Sequence, residues 1–189
     1  MVLLKDFTKA RITAKKIFGL LILFLAFRPC QLLHARAEEY ELKAAFLYNF
    51  TQFVQWPENA FSAPDSPFQL CLIGEDPFGR VLDETVTGEF VGKHPIFVRR
   101  IRDVENTPAC HLAFVSPKSV IPFELVLQTT RDSPVLVVGD DPDSAERGGT
   151  IAFRVINRRI RLTVNLASAR TANLRISSKL LRLSTIVEN

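Results

Sequence analysis

Four short apolar runs set the limits on how this chain folds: FQLCLIG at 68–74, HPIFVRR at 94–100, CHLAFVS at 110–116 and PVLVVGD at 134–140. Each has the length of a strand and is bounded by turn formers. The first, third and fourth are nearly continuous in apolar character, as strands buried on both faces are. Residues 77–86 and 118–130 read as helices between them, with Pro122 either near the first turn of the second helix or bending it. Strands alternating with helices make a parallel sheet covered on both faces.

The flanks extend this core. In EEYELKAAFLYNFTQFVQW, Leu42, Phe46, Leu47, Phe50, Phe53 and Val54 recur at three- and four-residue spacings, the signature of an amphipathic helix. Glu38, Glu39 and Glu41 suit its amino end, and Pro57 forces Trp56 out of helical geometry. Farther on, TIAFRVINRRIRLTVNL alternates apolar and polar residues on either side of Asn157-Arg158-Arg159, so it reads as a hairpin with one buried face. Ile176, Leu180, Leu183 and Val187 then predict a helical tail. The fold class is α/β: a single domain with a mixed, mostly parallel sheet, helices on both faces, a flavodoxin-like or Rossmann-like core, and a carboxyl-terminal β-hairpin and helices.

The amino end predicts export. Lys5, Lys9, Arg11, Lys15 and Lys16 precede the uncharged run IFGLLILFLAF, and His34-Ala35-Arg36-Ala37 offers small residues at a processing site. Eleven residues at helical rise cover about 16 Å, short of the roughly 30 Å hydrocarbon core. Residues 1–37 are thus read as a secretory signal peptide cleaved near Ala37, and 38–189 as the domain; an uncleaved anchor is the alternative. Cleavage removes seven basic residues and one acidic residue, leaving 17 basic against 19 acidic and a net charge of −2 where the whole chain has +4. A bulk basic surface for nucleic acid is excluded on that reading, and no membrane span is expected after cleavage.

Cleavage also discards Cys30 and leaves an even pair, Cys71 and Cys110. In an oxidising compartment such a pair forms a disulfide; two buried free thiols are the alternative. If Cys71 lies in the first strand and Cys110 opens the third, the bridge makes those strands neighbours. A flavodoxin-like order, with the first strand between the second and third, satisfies this.

Little in the sequence points to catalysis. His94 and His111 each start a predicted strand, where a satisfied structural histidine is the simpler reading than a ligand. No serine elbow, zinc-binding spacing or nucleotide-binding loop is present. The loop holding Gly74, Asp76 and Gly79 stands where doubly wound folds bind ligands, but Glu75 and Asp76 would repel phosphate, and a turn with a helix cap explains it better. Asp140, Asp141 and Asp143 suit Ca²⁺ only if carbonyls complete the shell; caps of a short helix are the simpler reading. No metal, cofactor or catalytic residue is expected. Arg99, Arg100 and Arg102, and again Arg154, Arg158, Arg159 and Arg161, either grip an anionic partner or keep an edge solvated.

Motifs spread from end to end carry a resemblance. They are KAAFLYNF (43–50), FVQWP (53–57), LCLIG (70–74) with DPFG (76–79), CHLAFVS (110–116), Arg161-Leu162 with Val164-Asn165-Leu166, Arg170, and LRISSKLLRL (174–183). With these the domain resembles the YfiR-type family of periplasmic regulatory proteins. Where that family has glycine ahead of the last motif, this chain has Asn173, the next best residue at a left-handed helix end. The resemblance implies a non-enzymatic periplasmic repressor, expected as a homodimer, that contacts an inner-membrane diguanylate cyclase and holds cyclic-di-GMP synthesis off. Tyr48, Asn49, Trp56, Arg170 and Arg175 are the expected partner or ligand surface, although Trp56 could equally staple a helix end and Asn49 satisfy buried backbone. The other reading is a small-ligand sensor with its site around Gly74, Asp76, Gly79 and Asp140.

Overall fold

The computed structural model describes residues 28–188, with side chains from residue 36 onward. The basic segment and apolar run of the expected signal lie outside them. The chain divides into two units at Tyr40, and the architecture that follows is that of the second.

Helix α1 (Arg28–Phe53) presents Tyr40, Ala44, Leu47 and Phe50 on one buried stripe. It begins ten residues ahead of the expected start at Glu38, so the three glutamates lie within it and not at its positive end. Among the described residues no helix is long and apolar enough to cross a membrane. Strand β1 (Val54–Gln55) follows, then β2 (Phe68–Ile73), α2 (Arg80–Val86), β3 (Phe90–Val91), β4 (His94–Ile101) and β5 (Leu112–Val115). After these come α3 (Phe123–Thr130), β6 (Leu136–Gly139), β7 (Ile151–Ile156), β8 (Arg159–Asn165), α4 (Leu166–Thr171), β9 (Arg175–Ile176), α5 (Ser178–Leu181) and β10 (Ser184–Val187). Pro122 caps α3 and does not bend it.

The main sheet runs β10-β8-β7-β6-β5-β2-β4-β3. Strands β4, β2, β5, β6 and β7 are mutually parallel, and β2 lies between β4 and β5 as the cysteine pair requires. The Cys71–Cys110 disulfide joins β2 to the residue two before β5 across a Cα separation of 5.9 Å. The fold is a mixed, mostly parallel α/β sheet with a flavodoxin-like strand order, and β7 and β8 form the expected hairpin. On one face Leu70, Leu72, Phe114, Val138 and Phe153 pack with α1 and α2; on the other Ile73, Val115 and Val137 pack with Phe123 and Val126 of α3.

Two further expectations fail. The tail is not one helix: Ile176 lies in β9, Leu180 in α5 and Val187 in β10, while Leu183 is exposed. The β-branched run Thr185-Ile186-Val187 favours a strand, and parallel pairing with β8 satisfies an otherwise open sheet edge. Nor do the aspartates after β6 cap a helix. Residues 141–148 are a series of turns, closed by backbone bonds from Ser144 to Asp141 and Gly149 to Ser144.

Candidate functional site

A two-stranded ribbon builds the site. Strand β1 pairs antiparallel with β9, Val54 opposite Ile176 and Gln55 opposite Arg175, and the Ser177 amide donates to the Phe53 carbonyl at 2.8 Å. Pro57 keeps the preceding residue extended, and Trp56 turns inward: its Nε1 donates to the His111 carbonyl at 3.0 Å, and its ring meets Phe68 edge-on at 4.8 Å. On the other wall, the chain leaves α4 through Asn173, two residues past its end, whose φ of +55° is the left-handed turn expected there. The amides of Asn173 and Leu174 close that end on the carbonyls of Arg170 and Ala169, both at 2.9 Å. Arg170 and Arg175 are thereby fixed on either side of the turn.

Trp56, Pro57, Glu58, Asn59, Arg170 and Arg175 line a groove of about 850 Å³ between these walls. Arg170 reaches Glu188 at 3.3 Å in a solvent-exposed pair, which is energetically weak. Arg175 is exposed and makes no ion pair with a described residue. Chemically the groove offers a planar aromatic, two guanidinium groups, amide side chains and the single carboxylate of Glu58, a set in which the cations outnumber the acid and suit carboxylate-bearing peptide or ligand surfaces.

Tyr48 and Asn49 do not join this groove. The Tyr48 hydroxyl donates to Glu89 at 2.6 Å, and Gln52 donates to the Phe90 carbonyl at 3.0 Å, tying α1 to the turn before β3. That hydrogen bond to a carboxylate, reinforced by partial burial, raises the phenol pKa. Asn49 is exposed on the same helix. Three of the five expected surface residues therefore converge, and two stand apart.

The loop after β2 is turned upon itself. Asp76 Oδ1 accepts from the amides of Phe78 at 2.8 Å and Gly79 at 3.1 Å, and its Oδ2 accepts from Arg100 Nε at 2.9 Å. Arg100 also forks onto Asp83 at 3.0 and 2.6 Å, which lowers the Asp83 pKa. Gly79 caps α2 at φ +56°, and Gly74, at φ +96°, lies so close to Ser119 that a Cβ would stand 2.6 Å from its Cα. These contacts are those of a structural turn.

Asp140 is occupied from within. Its Oδ1 lies 2.5 Å from Lys43 Nζ, and its Oδ2 accepts from the Tyr40 hydroxyl at 2.8 Å; the Lys43 and Asp140 side chains are 4% and 2% exposed. Lys43 Nζ also sits 4.6 Å above the Tyr40 ring. Helix α1 thus fills the carboxyl edge of the sheet at the position expected for a ligand. One signal marks this pair in the sequence: Lys43 falls three residues after Tyr40 and four before Leu47, on the apolar stripe, where a cation needs a buried counter-charge. Asp141 and Asp143 face Arg147 at 3.9 and 3.8 Å, and no cluster of three or more potential ligands converges among the described residues.

His94 and His111 are both satisfied. His111 Nδ1 accepts from the Gln69 amide at 2.9 Å and Nε2 donates to the Ala60 carbonyl at 3.1 Å, which fixes the neutral tautomer. Burial pushes its pKa down to about 4. Its ring stacks between Phe61 and Phe68, and Phe61 in turn stacks on His94, whose Nδ1 lies 2.7 Å from the Ser66 carbonyl.

Known proteins share parts of this architecture. A conserved domain protein from Vibrio cholerae shares the fold at a TM-score of 0.53 and 8% identity, over 78% of this chain and 59% of that one. A Streptococcus pneumonia ABC domain in complex with L-Trp aligns at a TM-score of 0.47 and 10% identity, over 64% of this chain and 55% of that one. The chain thus spans little more than half the length of either structure. No curated protein matches. The family described as YfiR/HmsC-like matches residues 40–185, nearly the whole domain. The chain belongs to the YfiR/HmsC-like family.

Proposed function

We propose that the protein, exported and freed of residues 1–37, holds an inner-membrane diguanylate cyclase inactive by direct contact through the groove of Trp56, Arg170 and Arg175. Membership of the YfiR/HmsC-like family supports a periplasmic regulatory role in cyclic-di-GMP signalling, which on this reading is exercised by contact. The observation that carries the choice of surface is the convergence of Trp56 and Arg175 from opposite ends of the domain onto one groove, with Arg175 unpaired among the described residues. An indole beside a guanidinium is the composition of an interface hot spot.

The test is deletion of the gene with cyclic-di-GMP measured, followed by complementation. The level should rise on deletion, return with the native chain, and stay high with Arg175→Glu, while cross-linking in the intact envelope should capture a cyclase with the native chain alone. An unchanged level and no captured cyclase would rule this function out.

The concavity of the groove favours one further reading, in which a small carboxylate-bearing ligand sits there and alters affinity for the partner. Calorimetric titration of small carboxylic acids against the native chain and Arg175→Glu separates that reading from direct contact alone.

A further inference from the structure

The hairpin of β7 and β8 extends beyond the sheet that holds it. Strand β6 pairs with β7 only at Ile151 and Ala152, and β10 pairs with β8 only from Leu162 to Asn165. The pairs Arg154 with Arg161, Val155 with Ile160 and Ile156 with Arg159 therefore have no third strand beside them. They form a free two-stranded ribbon, closed by Asn157 and Arg158 at φ +51° and +60°, the turn that matches strand twist.

Residues 154–161 hold four arginines and no acid, in a domain that is net acidic after residue 37. Arg154 meets Glu146 at 3.3 Å, whereas Arg158, Arg159 and Arg161 make no ion pair with a described residue. Arg154 and Arg161 stand directly opposite, a like-charge pair of which Glu146 meets one member. Between the cations lie Val155, 49% exposed, and Ile156, 50% exposed.

The placement of those side chains selects the partner. Consecutive residues of a strand point to opposite faces, so Val155 and Ile156 project on opposite sides of the ribbon. A protein docked on one face would leave the other aliphatic residue in water. A medium that surrounds the tip covers both, and one with anions at its surface and hydrocarbon beneath matches the chemistry of each residue. We propose that the tip of the β7–β8 hairpin is seated in the headgroup layer of an anionic phospholipid surface, with Arg158, Arg159 and Arg161 on lipid phosphates and Val155 and Ile156 against the glycerol and uppermost acyl groups on either side of the ribbon. This holds whether or not the protein represses a cyclase.

An environment-sensitive fluorophore on Val155→Cys, in the exported chain with Cys71 and Cys110 held in their disulfide, reads the tip directly. The control dye sits on Phe97→Cys, an exposed position on β4 toward the other edge of the sheet. Phosphatidylcholine vesicles containing phosphatidylglycerol should shift the dye at 155 to the blue and leave the dye at 97 unchanged, and phosphatidylcholine alone should shift neither. Replacing Arg158, Arg159 and Arg161 by Gln should weaken vesicle binding about fivefold per charge removed, and salt should weaken it further. Co-sedimentation of the unlabelled chain and the triple Gln variant checks the same loss without a dye. No shift at 155, equal shifts at both positions, equal response to neutral vesicles, or a shift produced only by an acidic protein would each overturn the proposal.

Discussion

Lys43 on α1 and Asp140 at the end of β6 form an ion pair of 2.5 Å that water scarcely reaches. A buried pair of this kind costs much of its Coulombic gain in lost hydration, yet removing one partner leaves a bare charge in the core. Lys43→Met or Asp140→Asn should each destabilise the domain by about 3–5 kcal/mol. The double variant Lys43→Met/Asp140→Asn should lose less than the sum of the single variants. Urea unfolding of all four proteins measures the coupling, and strict additivity would show that the pair does not act as a unit.

His111 predicts an acid-sensitive stability. Its folded pKa is about 4 against 6.5 for a solvated histidine, so the unfolded chain binds the proton first as pH falls. The neutral ring's contribution is fully present above pH 6.5 and is lost progressively down to pH 4, by about 3 kcal/mol in total. His111→Asn should flatten the fall in melting temperature across that window. An equal slope in both proteins would place the effect elsewhere.

The disulfide spans 39 residues, and closing a loop of that size stabilises a fold by about 4 kcal/mol on chain-entropy grounds. Cys71→Ala/Cys110→Ala should lower the urea midpoint accordingly. Mass spectrometry of the exported protein without reductant should find both cysteines protected from alkylation.

At Asn173 the left-handed backbone makes a sharp prediction by type of side chain. Asn173→Gly should be neutral or slightly stabilising. Asn173→Val should cost about 1–2 kcal/mol, because a branched Cβ crowds the following carbonyl in that conformation. Thermal unfolding of the two variants orders them.

The legible part of the fold is the part written in strand-length apolar runs. Periodicity locates β2, β5 and β6 to within two residues, and the cysteine pair sets β2 beside β5 because a covalent bridge is a distance statement. The tail misleads because four apolar residues at spacings of four, three and four fit a helix stripe, although the β-branched residues near its end are a contrary signal. At the site, Trp56, Arg170 and Arg175 come from the resemblance and not from pattern, since nothing local announces that residue 55 will pair with residue 175. Tyr48 and Asn49 precede Trp56 by only seven or eight residues but lie within α1, where Tyr48 is tied to Glu89, whereas Trp56 lies beyond the helix end and β1. The Asp140 site is illegible without one inference, that the lysine on the buried stripe must end on some carboxylate.

The ribbon of β1 and β9 has a consequence for how the chain reaches its native state. The strand that follows the first helix finds its partner about 120 residues later, so the two ends of the domain must be present together before the groove exists. Pairings of such long sequence separation form late and slowly. A chain with residues 175–188 missing, or still emerging, leaves Val54 and Gln55 without their partner strand and the groove without one wall. One wall of the groove therefore waits, during synthesis, for a strand that emerges about 120 residues after the other.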